Sequence, residues 1–235
     1  MKSLGRVLVV GAGGLSSPVL QLLAKSHVEH VTLVDDDRVD ETNLHRQTLY
    51  TDADVGQPKI ERAAQNLREL APRLSIRVVE GRFVPATAEA LLREHSLVVE
   101  GADNLATKFL VADAAHLAEV PAIQAGAVRW SGWALCALPG AACLRCLFED
   151  IPRDSIETCA DAGVVGPVVG VLGAIQAAFV FRLLEGERPA GELWHYDALR
   201  GALRKTQVRR RGDCPLCNGE IQDLQAERYS AACAA

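Results

Sequence analysis

Arg6-Val7-Leu8-Val9-Val10-Gly11-Ala12-Gly13-Gly14-Leu15 is the stretch from which the fold reads outward. Residues 6–10 form an apolar run that reads as a buried strand. The glycines follow at once, and a helix is predicted to open near Leu15. Gly11 permits the tight turn, and Gly13 lets the backbone come close to a phosphate. The helix N-terminus then offers free N–H groups and a favourable dipole. Asp35 ends the next strand, where a carboxylate accepts hydrogen bonds from ribose hydroxyls. A glycine loop alone has the signature of any tight strand–helix turn. Its place between strand and helix, with Asp35 behind it, makes Gly11, Gly13, Gly14 and Asp35 a nucleotide-binding set. Ser16 replaces the last glycine of the usual fingerprint.

Further along, apolar runs alternate with helical patterns. The expected class is α/β: Rossmann-like, a mostly parallel sheet with helices on both faces and an antiparallel C-terminal extension. Strands are predicted at 6–11, 30–35, 75–80, 97–100 and 122–127, and helices at 15–26, 58–70, 87–94 and 105–118. A change of register from Trp133 and strands at 192–197 and 203–208 form the extension. Residues 148–161 read as a polar loop. One domain is expected over 1–217, with a flexible tail over 218–235.

The chain has 235 residues, 49% apolar and 23% charged, with a net charge of −5, which argues against a general nucleic-acid binder. Residues 162–181 carry no charge and are long enough to cross a bilayer. Glycines and a proline interrupt them, Arg182 and Glu185 follow, and a lone span late in such a chain is out of place. They are read as a buried helix. With no signal peptide recognised at the start, the expectation is a cytoplasmic protein with no membrane partner.

Two cations follow the loop, in Asn43-Leu44-His45-Arg46-Gln47 and Gly56-Gln57-Pro58-Lys59. Arg46 grips phosphate with a fork of donors, and Lys59 supplies a point charge at a helix start. Either alone would be a solvated surface charge. In order behind a phosphate loop, they point to a triphosphate that is cut. Asp37 can turn back towards the loop, whereas Asp36 reads as solvated. Asp103-Asn104 follows the strand 97–100 at the ligand-binding end of the sheet. Asp103 there suits Mg²⁺, or the N-cap of the next helix, or both.

Seven cysteines occur. Cys143 and Cys146 pair by spacing with Cys214 and Cys217 as ligands of a structural zinc clipping two distant segments. Cys136 and Cys233 read as spectators. Cys159, in the polar loop before the long apolar helix, is either a thiol activated by a helix N-terminus or inert.

Taken in order, these motifs resemble the ThiF/MoeB/HesA family, bacterial relatives of ubiquitin-activating enzymes. The matching pieces are Gly11-Ala12-Gly13-Gly14-Leu15, Asp35-x-Asp37, Asn43-Leu44-x-Arg46-Gln47-Thr48-Leu49, Val55-Gly56-Gln57-Pro58-Lys59, Asp103-Asn104, the cysteine pairs and Thr158-Cys159-x-x-Ala162-Gly163-Val164. Together they span about residues 5–217. The zinc pairs favour the molybdopterin-synthase and thiamine-pathway adenylyltransferases over zinc-free relatives.

The resemblance implies ATP-dependent adenylylation of the C-terminal glycine carboxylate of a small ubiquitin-like sulfur carrier ending in Gly-Gly. It also implies Mg²⁺ and Zn²⁺ as cofactors and a homodimer. By that analogy Asp35 holds ribose, Arg46 and Lys59 neutralise phosphates, Asp103 holds Mg²⁺, and Asn43, Gln47 and Asn104 orient groups nearby. Cys159 takes the place of the family cysteine that links to the carrier or handles sulfur. Two departures are expected to matter. Few residues precede the first strand, where the family carries a helical segment whose arginine reaches the partner's ATP site. Lys108 stands where the family has arginine. A non-catalytic family member and an NAD-dependent oxidoreductase are the competing readings.

Overall fold

The computed structural model describes residues 5–151 and 163–229. The elements run β1 (Arg6–Val10), α1 (Ser16–Ala24), β2 (His30–Asp35), α2 (Lys59–Leu70), β3 (Ser75–Glu80), α3 (Pro85–Arg93) and β4 (Leu97–Glu100). They continue as α4 (Leu105–Leu117), β5 (Ala122–Val128), β6 (Ser131–Ala137), α5 (Leu144–Phe148), α6 (Gly166–Leu184), β7 (Glu192–Asp197) and β8 (Ala202–Gln207). One eight-stranded sheet has the order β3-β2-β1-β4-β5-β6-β7-β8. Its strands are parallel from β3 to β5 and antiparallel from β5 to β8. This is the expected doubly wound sheet with its antiparallel extension.

Alternation along β1 assigns the two faces. Val7 and Val9 join the core beneath α1, α2 and α6, while Leu8 and Val10 join the core beneath α3 and α4. A central parallel strand is covered on both sides, so β1 and β4 read as unbroken apolar runs. Edge strand β3 is largely exposed and mixes Arg77 and Glu80 with its valines.

Gly11 lies at φ +88°, and a Cβ there would come within 3.0 Å of the Ala102 N and the Gly101 C. The turn after β1 therefore needs glycine twice over, for its backbone angle and for its contact with the turn after β4. The missing third glycine of the loop has a counterpart across the same contact. A Cβ on Gly101 would approach Ser16 Oγ, so the space for close packing is provided opposite Ser16.

A short helix, α5, ends at Phe148, the first residue of the segment read as a polar loop; Glu149 at φ 61° breaks it, and residues 152–161 of that segment lie outside the described residues. One expectation needs correction. The tail read as flexible from residue 218 is anchored as far as 229. Ile221 and Tyr229 are buried, and the Tyr229 hydroxyl donates to Asp113 Oδ2 on α4 at 2.8 Å. The pattern is faint because these two apolar residues stand singly among polar ones. Helix α3 starts at Pro85, earlier than expected, because proline suits the first turn of a helix. Helix α6 is long and apolar enough to span a bilayer; one face of it packs into the core beside α1 and β5.

Candidate active site

The strand order reverses between β1 and β4, and the carboxyl ends of β1, β2 and β4 meet there. Asp35 closes β2 and turns onto the glycine loop. Its Oδ2 accepts the Ala12 N–H at 2.6 Å, and its Oδ1 accepts the Asp37 N–H at 2.7 Å. Burial holds this carboxyl above its ordinary value against the pull of those two donors and of Lys59. Asp35 therefore shapes the loop as well as facing it.

The segment between β2 and α2 doubles back on itself. Lys59 N–H donates to Asp37 O at 2.9 Å, Val39 N–H to Gln57 O at 2.9 Å and Gly56 N–H to Val39 O at 2.8 Å. This stitched neck brings Asp37 beside Lys59, whose Nζ lies 2.8 Å from Asp37 Oδ2. Lys59 is 5% exposed, while Asp37 is mostly exposed. Asp36 instead pairs with Arg82 near the surface, as its solvated reading requires.

Beyond the neck the segment packs over the glycine loop through buried Leu49 and Tyr50. A Cβ on Gly14 would lie 3.3 Å from Arg46 O and 3.4 Å from Arg46 Cγ, so Arg46 runs along the loop. Its guanidinium donates to Asn43 Oδ1, which gives Asn43 the task of aiming Arg46. Gln47 is buried, with Nε2 3.6 Å from where a Cβ on Gly13 would sit, and its Oε1 has no partner. Among the described residues nothing else crowds that Gly13 position, so they present an open cradle with a buried acceptor beside it that no described residue pairs. The first turn of α6 closes one side, with Val169 3.3 Å from the Gly14 position.

Asp103 stands exposed on the turn after β4, next to the Ala102 that packs on Gly11. The cap of α4 is Asn104, not Asp103. Asn104 Oδ1 accepts the Thr107 N–H at 2.8 Å, which leaves the Asp103 carboxylate facing solvent at the mouth. Beneath them lies a buried group that sequence reasoning missed. Glu100 accepts the Ala102 N–H at 2.6 Å and pairs through both oxygens with Lys108 Nζ at 3.1 Å. Lys108 also donates to Ala125 O, and Gln176 Nε2 donates to Glu100 O at 2.8 Å. Burial pushes the Glu100 carboxyl up, and Lys108 opposes it. Lys108 is thus spent on holding the turn that carries Asp103.

The cysteine pairs converge. Cys143 Sγ lies 3.8 Å from Cys146 Sγ, 3.6 Å from Cys214 Sγ and 3.5 Å from Cys217 Sγ. Tetrahedral zinc with bonds of about 2.3 Å places its sulfurs roughly 3.8 Å apart, so this donor set fits the ion. Burial and the neighbouring sulfurs push the Cys143 thiol up, and burial pushes Cys217 up to about 12. Holding Cys143 and Cys217 as thiolates therefore calls for a compensating cation. The cluster forms its own small core with Leu216 and Ile221. Arg145, between the first two cysteines, is buried and forms a fork with Asp113 of α4 at 2.8 and 2.9 Å. Cys136 is buried at a sheet position, and burial raises its thiol to about 12, so it is inert as expected. Cys159 and Cys233 lie outside the described residues.

Comparison with known proteins identifies the family and the fold. A model of the ThiF family matches residues 2–216. A sulfur carrier protein adenylyltransferase of Thermus thermophilus is 40% identical over 236 residues, covering 97% of this chain and 87% of the relative. A SAMP-activating enzyme E1 of Haloferax volcanii is 36% identical over 233 residues, covering 97% and 86%. Among solved structures, E. coli MccB with MccA-N7isoASN superposes with a TM-score of 0.79 at 23% identity, over 91% of this chain and 67% of that one. That last likeness speaks for the fold.

Proposed function

The chain belongs to the ThiF family, and we infer that it is an ATP-dependent adenylyltransferase acting on a ubiquitin-like sulfur-carrier protein. The observation that carries the residue-level reading is the near-buried Lys59, tethered by Asp37 beside a glycine loop left open at Gly13. A dinucleotide that is only held has no use for such a cation. A phosphate chain that gains charge as it breaks does.

The acceptor is the carrier's C-terminal carboxylate, which we propose belongs to a Gly-Gly ending. It is ionised at neutral pH, so the reaction needs no general base. One carboxylate oxygen forms a bond to the α-phosphorus of ATP. The bond from that phosphorus to the bridging oxygen breaks, and pyrophosphate leaves with the electron pair. The protein's work is alignment and charge stabilisation. In this proposal Gly11, Gly13 and Gly14 cradle phosphate, Asp35 receives ribose, and Lys59 and Arg46 stabilise the departing charge. Asp37 and Asn43 aim those two cations, and Gln47 offers its unpaired acceptor to the ligand or its water. Asp103 would hold Mg²⁺ with the substrate phosphates, the usual pattern for that ion. Asn104 keeps only its amide N–H groups for the site, because its oxygen caps α4. The four thiolates would hold Zn²⁺ in a structural role. Thiols kept reduced for a metal support a cytoplasmic location.

A homodimer is supported by helix α6. Its outward face presents exposed Pro167, Ala174 and Ala178 beside half-buried Val171, Ile175 and Phe181, an apolar stripe of small residues.

Exchange of labelled pyrophosphate into ATP, measured with the full chain and candidate Gly-Gly carriers, tests the reading. Carrier-dependent exchange is expected. ATP binding with no exchange for any carrier would overturn it.

A further inference from the structure

Tyr50 has no place in the site as read from sequence, yet its hydroxyl sits inside the phosphate loop. The hydroxyl donates to Ala12 O at 2.7 Å and lies 3.3 Å from Lys59 O. The two peptides that flank Ala12 are therefore each gripped once, the first at its N–H by Asp35 and the second at its carbonyl by Tyr50. Lys59 is held in the same way, its N–H by the Asp37 carbonyl and its carbonyl facing Tyr50. One phenol thus spans the two elements that must close on the phosphates: the loop with its N–H donors, and the first residue of α2 with its cation.

We propose that Tyr50 is a positioning residue for the adenylylation reaction, which locks the Ala12–Gly13 peptide and the start of α2 into the geometry that receives the ATP phosphates. The role rests on the adenylyltransferase reading above. The Ala12 carbonyl shares its peptide plane with the Gly13 N–H, and the Ala12 N–H lies in the plane before it, so pinning one atom of each plane holds the Gly13 N–H in one direction. Preorganised donors of this kind contribute most where charge develops. Tyr50 is suited to the task because it is 5% exposed, and burial, with the charges of Asp35, Asp54 and Asp37, pushes its pKa far above the ordinary range. It stays a protonated donor at any working pH. The base of the clamp is stiff as well. Thr51 N–H donates to Asp54 Oδ2 at 2.9 Å, Asp54 pairs with Arg62 at 2.5 Å, and Asn66 Nδ2 donates to Leu49 O at 2.8 Å. Residues on either side of Tyr50 are thereby fastened to α2.

Tyr50→Phe keeps the ring and its packing and removes the one hydroxyl. In carrier-dependent pyrophosphate exchange the KM for ATP is expected to rise about tenfold, with kcat falling less and the KM for the carrier unchanged. A purely structural role would lower Tm and leave the KM for ATP alone. A KM for ATP within about twofold of the wild type, in a wild type that exchanges normally, overturns the Tyr50 role only. A wild type that neither binds ATP nor exchanges pyrophosphate overturns the parent reading with it. The wild-type fold gives a second readout, needed if Tyr50→Phe fails to fold. The chain has 3 tyrosines, so 3-fluorotyrosine labelling yields few fluorine signals, which Tyr196→Phe and Tyr229→Phe assign. Mg-ATP is expected to move the Tyr50 signal and leave the other two in place. A Tyr50 signal unmoved by saturating Mg-ATP overturns the proposal.

Discussion

Lys59 shows how a charge is kept ready. It is almost fully covered, but its partner carboxylate on Asp37 is open to water, so the pair can separate when a stronger anion arrives. Lys59→Ala is expected to cost roughly a hundredfold in pyrophosphate exchange, since one preorganised charge contact is worth about 3 kcal/mol. Asp103→Ala is expected to lose about as much. Its carboxylate is exposed, so thermal denaturation should return a near wild-type Tm. Gly11→Ala belongs to a different class. At φ +88° and 3.0 Å from backbone atoms of the next turn, an added methyl is strained and also clashes. Denaturant unfolding should show a loss of at least about 1–2 kcal/mol, with ATP binding falling in parallel. Lys59, Arg46, Asp35, Asp103 and the loop glycines were legible in the sequence as candidates. Tyr50 and Glu100 were not. A tyrosine after Leu49 and a glutamate ending an apolar strand look like core and edge, and only the folded chain shows what their oxygens meet.

At the level of elements, the turn after β4 is the most heavily fastened part of the site. Glu100 pins its first N–H, Lys108 and Gln176 pin Glu100, and Asn104 caps the helix that follows. Asn104→Ala is expected to cost about 1 kcal/mol in stability and to raise the Mg²⁺ concentration needed for half-maximal exchange, because Asp103 precedes the loosened cap. Equal Mg²⁺ dependence in variant and wild type would detach the cap from the ion. Strands and helices were legible almost throughout, since a buried parallel strand is an unbroken apolar run and an amphipathic helix repeats its pattern. What escaped was short or sparse. Helix α5 spans about a turn between its N-cap Cys143 and Phe148, and residues 219–229 are anchored mainly through buried Ile221 and Tyr229, with Leu224 packed beside them.

Across the whole molecule, pH and metal act on different parts. His95 is buried at the end of α3. Its Nδ1 faces Leu91 O at 2.7 Å, and a carbonyl can only accept, so Nδ1 carries the proton. Nε2 then accepts from Thr32 Oγ1 at 2.7 Å. Burial holds the His95 pKa below its ordinary value, and half-buried His116 shifts the same way. The unfolded chain therefore takes up these protons first as pH falls. The stability these two histidines contribute is complete above about pH 6.5 and declines as pH drops through that value towards the lower folded-state pKa. His95→Gln should flatten, without abolishing, the fall in Tm between about pH 7.5 and 5.5. Stripping the zinc proposed for the four cysteines should free the C-terminal stretch. Arg145 and Tyr229 share Asp113, so hydrogen exchange at 221–229 is expected to speed up after chelation while β1 and β4 stay protected. Those same cysteines also impose a timetable. Cys143 and Cys214 stand 71 residues apart, with α6, β7 and β8 between them. At about 5–20 residues per second, the ribosome makes the first pair wait roughly 4 to 14 s for the second. For that interval the nascent chain carries two bare thiols with half a site. Under the zinc proposal, metal loading is then settled late, by whether those thiols are still reduced when their partners emerge.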